Sequence, residues 1–244
     1  MRHVEGRNPV IELLKDGKNI EGLYLQKGLR GDKIKQIINL AEKQGIEIVF
    51  LTKYRLNQKA VTDSHQGVIA LASDIQTYGL KNTINYLSNL EKDPLVLILD
   101  HIQDPHNFGA IIRTAHAAGV DAIIYPKDRA CGITTTVDKV SAGAIEHMRL
   151  VEVVNINRTI EILKDNYFWI AGADVSAENN YYTQDFEGKF ALVVGHEGSG
   201  LNRLTKEKCD FLIKIPMENK FSSLNVSVAT GVILFEINRQ RNII

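Results

Sequence analysis

The chain has 244 residues, 44% of them hydrophobic, and balances 29 Lys+Arg against 29 Asp+Glu. That length holds one large core or two modest ones, and the charge balance excludes a global positive field as the means of holding a polyanion, so any nucleic-acid contact has to be local. No apolar run approaches the roughly 20 residues that span a bilayer, Met1-Arg2-His3-Val4-Glu5-Gly6 is too polar for a signal peptide, and Cys131 and Cys209 form no metal-spaced pair. No membrane insertion and a reduced, cytoplasmic setting are expected.

In chain order, residues 6–16 read as a helix entered through Asn8-Pro9, with Val10, Leu13 and Leu14 on one face and Gly17 as its stop. A strand follows at Gly22–Leu25, then a helix over 31–44 carried by Ile34, Ile37, Ile38 and Ala41, then a strand at Ile46–Phe50. This βαβ alternation, closed by Gly67–Leu71, predicts a small α/β domain over 1–75, which holds twelve Lys/Arg against nine Asp/Glu. Residues 76–93 read as a linker and an amphipathic helix carrying Leu80, Ile84, Leu87 and Leu90. From Pro94 to residue 244 a second unit begins with Leu95–Leu99, an uninterrupted apolar strand of the kind buried on both faces of a parallel sheet. Further strands are expected at 121–125, 149–154, 167–173, 190–194 and 211–215. They alternate with helices at 107–118, 157–165, 201–207 and about 224–240.

Three phrases stand out at the ends of these strands, where an open α/β sheet binds its ligands. The first is Asp100-His101-Ile102-Gln103-Asp104-Pro105-His106-Asn107-Phe108-Gly109, continuing to Arg113-Thr114-Ala115. Here Asn107 is a candidate N-cap and Arg113, on the first turns of the helix, can reach back toward the loop; a plain cap and a surface ion pair are the alternative. His101, Asp104 and His106 supply zinc-type ligand chemistry, but a loop containing Pro105 gives no helical ligand spacing, so no metal is expected. The second phrase, Gly195-His196-Glu197-Gly198-Ser199-Gly200-Leu201, has the order G-x-x-G-x-G late in its domain, not the G-x-G-x-x-G of a dinucleotide fold. Glu197 in it is placed to pair with Arg113, to bond a ribose hydroxyl, or only to favour a helix dipole. The third runs from Ile215-Pro216-Met217 to Ser222-Ser223-Leu224-Asn225-Val226. Its three polar residues exceed what one N-cap requires. The helix that follows is apolar nearly all round, which implies burial on two sides and favours a dimer interface.

Together these phrases resemble motifs one to three of the SpoU/TrmH class of SPOUT methyltransferases. Gly6-Arg7-Asn8-Pro9-Val10 resembles the start of the ribosomal-RNA guanosine ribose methyltransferase branch. The resemblance covers essentially the whole chain. It implies an α/β fold whose parallel sheet ends in a C-terminal trefoil knot, an exception to the unknotted rule, preceded by a small domain similar to ribosomal protein L30e. It also implies transfer of a methyl group from S-adenosylmethionine to a ribose 2′-hydroxyl of RNA, by a homodimer joined through the C-terminal helix.

Carried onto this chain, the resemblance has Gly195, Ile215 and Leu224 contact the cofactor, largely through backbone groups. Arg113, the position the family often assigns as the base, would chiefly stabilise the developing alkoxide and clamp the adjacent phosphate, with any base role transient, because a guanidinium is protonated in nearly every protein setting. Asn107, Glu197, Ser223 and Asn225 would orient Arg113, the ribose or that phosphate. Residues 1–75 would supply affinity for folded RNA. The branch favours a guanosine of large-subunit rRNA over tRNA. A noncatalytic RNA-binding or ribosome-assembly protein, and a resistance-type rRNA modification, remain the other readings.

Overall fold

In the computed structural model, which describes residues 1–15, 20–218 and 223–241, the chain forms two units: Met1–Ile75 with Ile133–His147, and Gln76–Gly132 with Met148–Ile244. The first contains β1 (Arg2–Glu5), α1 (Arg7–Lys15), β2 (Ile20–Gln26), α2 (Asp32–Lys43), β3 (Ile48–Leu51), α3 (Lys53–Lys59) and β4 (Val68–Ala72). Strands β2 and β3 are parallel, as a βαβ crossover through α2 requires, while β4 runs antiparallel to both β1 and β2. The sheet order is β1-β4-β2-β3. Val10, Leu13 and Leu14 of α1 and Ile34, Ile37 and Ala41 of α2 pack with Leu23 and Leu25 into one apolar cluster. The expected stop at Gly17 lies outside the described residues.

The second unit contains α4 (Leu80–Ser88), β5 (Leu95–Asp100), α5 (Pro105–Ala117) and β6 (Ala122–Pro126). After α6 (Thr135–Ser141), which belongs to the first unit, come β7 (Leu150–Val153), α7 (Ile156–Asp165), β8 (Trp169–Ala173), β9 (Asn179–Asn180), β10 (Phe190–Gly195), α8 (Arg203–Lys208), β11 (Phe211–Lys214) and α9 (Val226–Gln240). Seven strands form one sheet in the order β7-β6-β5-β10-β8-β11-β9, and every pairing in it is parallel. Every residue of β5, β6 and β10 is buried, which is why these strands read as unbroken apolar runs.

Two expected boundaries change. Residues 133–147, expected within the unit that starts at 94, pack with the N-terminal residues. Arg2 bridges Asp138 at 2.5 Å and also meets Glu146, while Lys139 bonds Thr62 at 3.1 Å and also meets Ser64. The amphipathic helix α4 is part of the second unit's core, where Ile84 and Leu87 pack with Val96, Ile98 and Ala122.

The sheet order places the site. Going from β5, the chain builds outward through β6 and β7, then returns to the other side of β5 for β8, β10 and β11, so the switch point lies between β5 and β10. An open parallel sheet has a crevice there, outside the carboxyl ends of the strands. The last residues of the two strands, Asp100 and Gly195, are register partners, so the first and second phrases leave the sheet side by side. Helix α9 then packs along α5, where Gly231 lets the backbones approach: a Cβ there would lie 3.3 Å from Thr114 Cγ2.

Candidate active site

Strand β5 delivers a buried carboxylate. Asp100 accepts hydrogen bonds from the backbone N–H and the side-chain amide of Asn202 at 3.3 Å, and lies 2.5 Å from His101 Nδ1. The first contacts fasten the end of the Gly195–Leu201 loop to the neighbouring strand. They also explain why Asn202, at the N-cap position of α8, makes no side-chain cap bond. His101 reverses the chain with φ 65°.

The cap of α5 is Asp104, whose carboxylate accepts from the His106 N–H at 3.0 Å, with Pro105 opening the helix. This corrects the expected start at Asn107. The physical reason is that Asp-Pro supplies both a preferred cap and a preferred first residue upstream of Asn107. Asn107 is then the third residue of the helix and is only 8% exposed, so its amide is free for long-range work.

That amide joins all three phrases. Asn107 Nδ2 donates to Glu197 Oε1 at 3.1 Å, and Asn225 Nδ2 donates to Asn107 Oδ1 at 2.9 Å. Asn225 Oδ1 accepts from the N–H groups of Ser227 and Val228 and so caps α9. One residue of the third phrase therefore serves as both cap and link. Of the other two polar candidates, Ser223 is exposed and Ser222 lies outside the described residues. Glu197 also accepts from the Asp104 N–H at 3.4 Å. It sits in a loop closed on itself by His196 N–H to Gly200 O at 3.1 Å and Gly200 N–H to His196 O at 2.9 Å.

Beside this chain of amides lies a cavity of about 360 Å³, lined by Gly195, Glu197, Ile215, Ser223 and Leu224 among others. At Gly195 a Cβ would overlap the backbone of Gly200 and Leu201, so this wall is bare main chain. The cavity also exposes two residues that the sequence reading passed over, Asp174 and Lys206. Lys206 Nζ lies 2.7 Å from Asp174 Oδ2, and the Ser176 hydroxyl and N–H donate to Oδ1. Burial pushes the Asp174 carboxyl up, but Lys206 and Ser176 together hold it below its ordinary value. The signal was there: Ala171-Gly172-Ala173-Asp174 ends a strand in an aspartate just as Leu97-Ile98-Leu99-Asp100 does.

Arg113 is exposed on α5 and forms no hydrogen bond or ion pair with another described residue. The pairing with Glu197 that the sequence suggested is taken instead by Asn107. Among the described residues no group of three or more His, Cys, Asp or Glu is placed to hold a metal ion; Asp104 caps α5 instead. Cys131 and Cys209 are both free. Burial, then the carboxylates of Asp104 and Glu197, push the Cys131 thiol up, so the mouth of the first two phrases is locally negative. No helix among the described residues is long and apolar enough to cross a membrane.

A parallel sheet with a backbone-walled cavity and converging amides at its switch point defines a cofactor-binding α/β enzyme. The SpoU rRNA Methylase family matches residues 94–235, and the RNA 2'-O ribose methyltransferase substrate binding family matches residues 3–78. The chain is similar to YacO of Bacillus subtilis (strain 168), whose name places it among TrmH family tRNA/rRNA methyltransferases, at 44% identity over 98% of this chain and 96% of that one. It is similar at 43% identity, over 94% of this chain and 91% of the relative, to the 23S rRNA (guanosine-2'-O-)-methyltransferase RlmB of Ralstonia nicotianae (strain ATCC BAA-1114 / GMI1000). In fold it is similar to the SpoU methyltransferase AviRb of Streptomyces viridochromogenes in complex with AdoMet, with a TM-score of 0.82 at 23% identity, over 98% of this chain and 90% of that one.

The chain belongs to the SpoU methylase family. It is an RNA 2′-O-ribose methyltransferase.

Proposed function

We propose that this enzyme methylates the ribose 2′-hydroxyl of a guanosine in large-subunit rRNA, with Arg113, Asn107, Glu197, Ser223 and Asn225 as its catalytic set and Gly195, Ile215 and Leu224 holding the cofactor. The observation that carries the site assignment is the hydrogen-bonded series Glu197–Asn107–Asn225 beside a cavity walled by Gly195, Ile215 and Leu224. The cavity fits S-adenosylmethionine: its size is within the ~300–1,000 Å³ of small-molecule sites, and the absence of a side chain at Gly195 brings main-chain groups to its surface. When bound, the cofactor supplies an electrophilic methyl group on a sulfonium.

The chain's residues then have to position a ribose oxygen and carry the charge that develops on it. Arg113, exposed and without a partner among the described residues, is available for that charge and for the neighbouring phosphate. Glu197 is held in one position by Asn107 and the Asp104 N–H, ready to accept from a hydroxyl. The guanosine target rests on the RlmB relatives; a tRNA ribose is the other reading that relatives' names allow.

The same reading includes an L30e-like RNA-binding role for residues 1–75, a trefoil knot in the C-terminal segment, a cytoplasmic setting and a homodimer. Support for the dimer comes from α9, where Val228 and Phe235, seven residues apart and so on one face, are 52% and 45% exposed. Support for the knot comes from α9 packing back on α5 after β11, which lies beyond β8 and β10 in the sheet. The test is transfer of methyl label to rRNA by Arg113→Ala. A loss of at least about a hundredfold is expected, as for removal of one oxyanion-type donor, with cofactor affinity kept; wild-type rates would overturn the assignment. Mapping ribose methylation in a strain lacking the protein identifies the nucleotide.

A further inference from the structure

The stretch from Ile48 to Thr62 carries Lys53, Arg55 and Lys59 and no Asp or Glu. It forms β3, an edge strand of its sheet, and then α3, of which only Leu56 is buried. None of its outward residues is acidic: beside Thr52, Val49 and Val61, the two valines 40% and 62% exposed, they are aromatics, cations and amides. Phe50 is 49% and Tyr54 72% exposed, while Lys53, Arg55, Asn57, Gln58 and Lys59 are all exposed. Lys53 and Arg55 have no ion-pair partner among the described residues. Lys27, also exposed, joins them at the strand ends, because its N–H donates to Leu51 O at 2.8 Å.

Edge strands are commonly guarded by lysine against pairing with other chains, and that would account for the charges alone. It does not account for Phe50 and Tyr54, since exposed aromatics on an edge invite association. Aromatic faces interleaved with unpaired cations, amides and no carboxylates are what an unpaired polynucleotide requires: bases stack on the rings and phosphates meet the cations. A duplex keeps its bases stacked and would leave the rings unused.

We infer that Phe50 and Tyr54, flanked by Lys27, Lys53 and Arg55, form a stacking platform for unpaired bases of the RNA substrate. This rests on the reading of the chain as an RNA methyltransferase, and it adds where and how the N-terminal unit grips its substrate: by a single-stranded or looped segment.

The experiment is fluorescence anisotropy with the full chain and two labelled probes, an unstructured oligoribonucleotide about twelve nucleotides long and an RNA duplex of equal length, within the site sizes of stacking platforms. Phe50→Ala with Tyr54→Ala is expected to weaken the unpaired probe by about tenfold or more and to change the duplex by less than about twofold. Phe50→Tyr with Tyr54→Phe is expected to keep the affinity, since both rings remain. Lys53→Gln with Arg55→Gln is expected to flatten the slope of log affinity against log salt by about 1.4 for the unpaired probe, at 0.7 per phosphate contact. All four positions are exposed, so unchanged circular dichroism is expected and separates binding from folding. Unchanged affinity for the unpaired probe in the double alanine variant, or an equal loss on the duplex, overturns the platform. So does a double alanine variant that alters self-association in sedimentation and leaves RNA binding intact, which would make the patch a protein interface. Failure of the wild-type chain to bind either probe would instead sink the RNA reading itself.

Discussion

Asn225 Nδ2 donates to Asn107 Oδ1 at 2.9 Å across 118 positions of sequence, and this bond fixes which way both amides point. Glu197 Oε1 accepts from the Asn107 NH₂, which leaves the Asn107 oxygen to face Asn225. Asn225 must then present its own NH₂ to that oxygen. Its remaining oxygen is left for the N–H groups at the start of α9. Asn225→Asp keeps a good cap but sets two acceptors against each other at the link. Methyl transfer should fall by about tenfold or more while thermal stability changes by less than about 1 kcal/mol. A variant with equal loss of stability and activity would show that the link is only structural.

The second prediction separates two glycines of one loop. A Cβ on Gly195 would overlap main-chain atoms of Gly200 and Leu201, which have no flexible end to move, whereas a Cβ on Gly198 would meet only His196 ring atoms at 3.7 Å. Gly195→Ala should therefore cost roughly 1–3 kcal/mol of stability, as overpacking does, and weaken S-adenosylmethionine by at least about tenfold in calorimetric titration. Gly198→Ala should bind the cofactor within about twofold of wild type. Equal behaviour of the two would contradict the bare-backbone wall.

Asp174 gives a prediction with a pH sign. Its carboxyl titrates below the ordinary 3.8 in the folded chain because Lys206 and Ser176 outweigh its burial. A depressed folded value means stability that is fully present above the unfolded value and is lost as pH falls through the folded one. Asp174→Asn should lower stability at neutral pH by roughly 1.5–3 kcal/mol, the range of hydrogen bonds to charged groups. The gap from wild type should shrink below pH 3.8. Denaturant unfolding at several pH values reads this directly, and a gap independent of pH would mean that the ion pair contributes nothing.

What was legible in the sequence follows from how each element is stabilised. Strands β5, β6 and β10 are buried on both faces, so their apolar runs were plain to the residue or nearly so. Strand β1, Arg2-His3-Val4-Glu5, has no such run; it exists because β4 pairs with it 64 or more positions away. Helix α3 has a single buried residue and hence no stripe. In the site, the three phrases were visible because glycines and amides stood where apolar runs should turn into helices. The order of bonding among them was not, since whether Glu197 meets Arg113 or Asn107 depends on where α5 starts, and that was decided by Asp104-Pro105.

The least legible feature, the return of residues 133–147 to the N-terminal unit, yields the last prediction. Arg2 is 11% exposed at its side chain, and Asp138 and Glu146, both 1% exposed there, receive its guanidinium. Nothing in the local pattern of 135–141, whose buried residues are Val137, Asp138 and Ser141, announces a partner so far upstream. Arg2→Met removes the cation from two buried carboxylates while keeping much of the side chain's length. Removing one partner of a buried ion pair costs about 3–5 kcal/mol. The loss should therefore be several times that of Lys15→Met, whose partner Glu12 lies at 2.8 Å with both side chains partly exposed. Hydrogen exchange should show the Arg2→Met loss as faster exchange at both β1 and α6, because the two ends of the ion pair lie there. Faster exchange at β1 alone would mean that α6 is held by something other than Arg2.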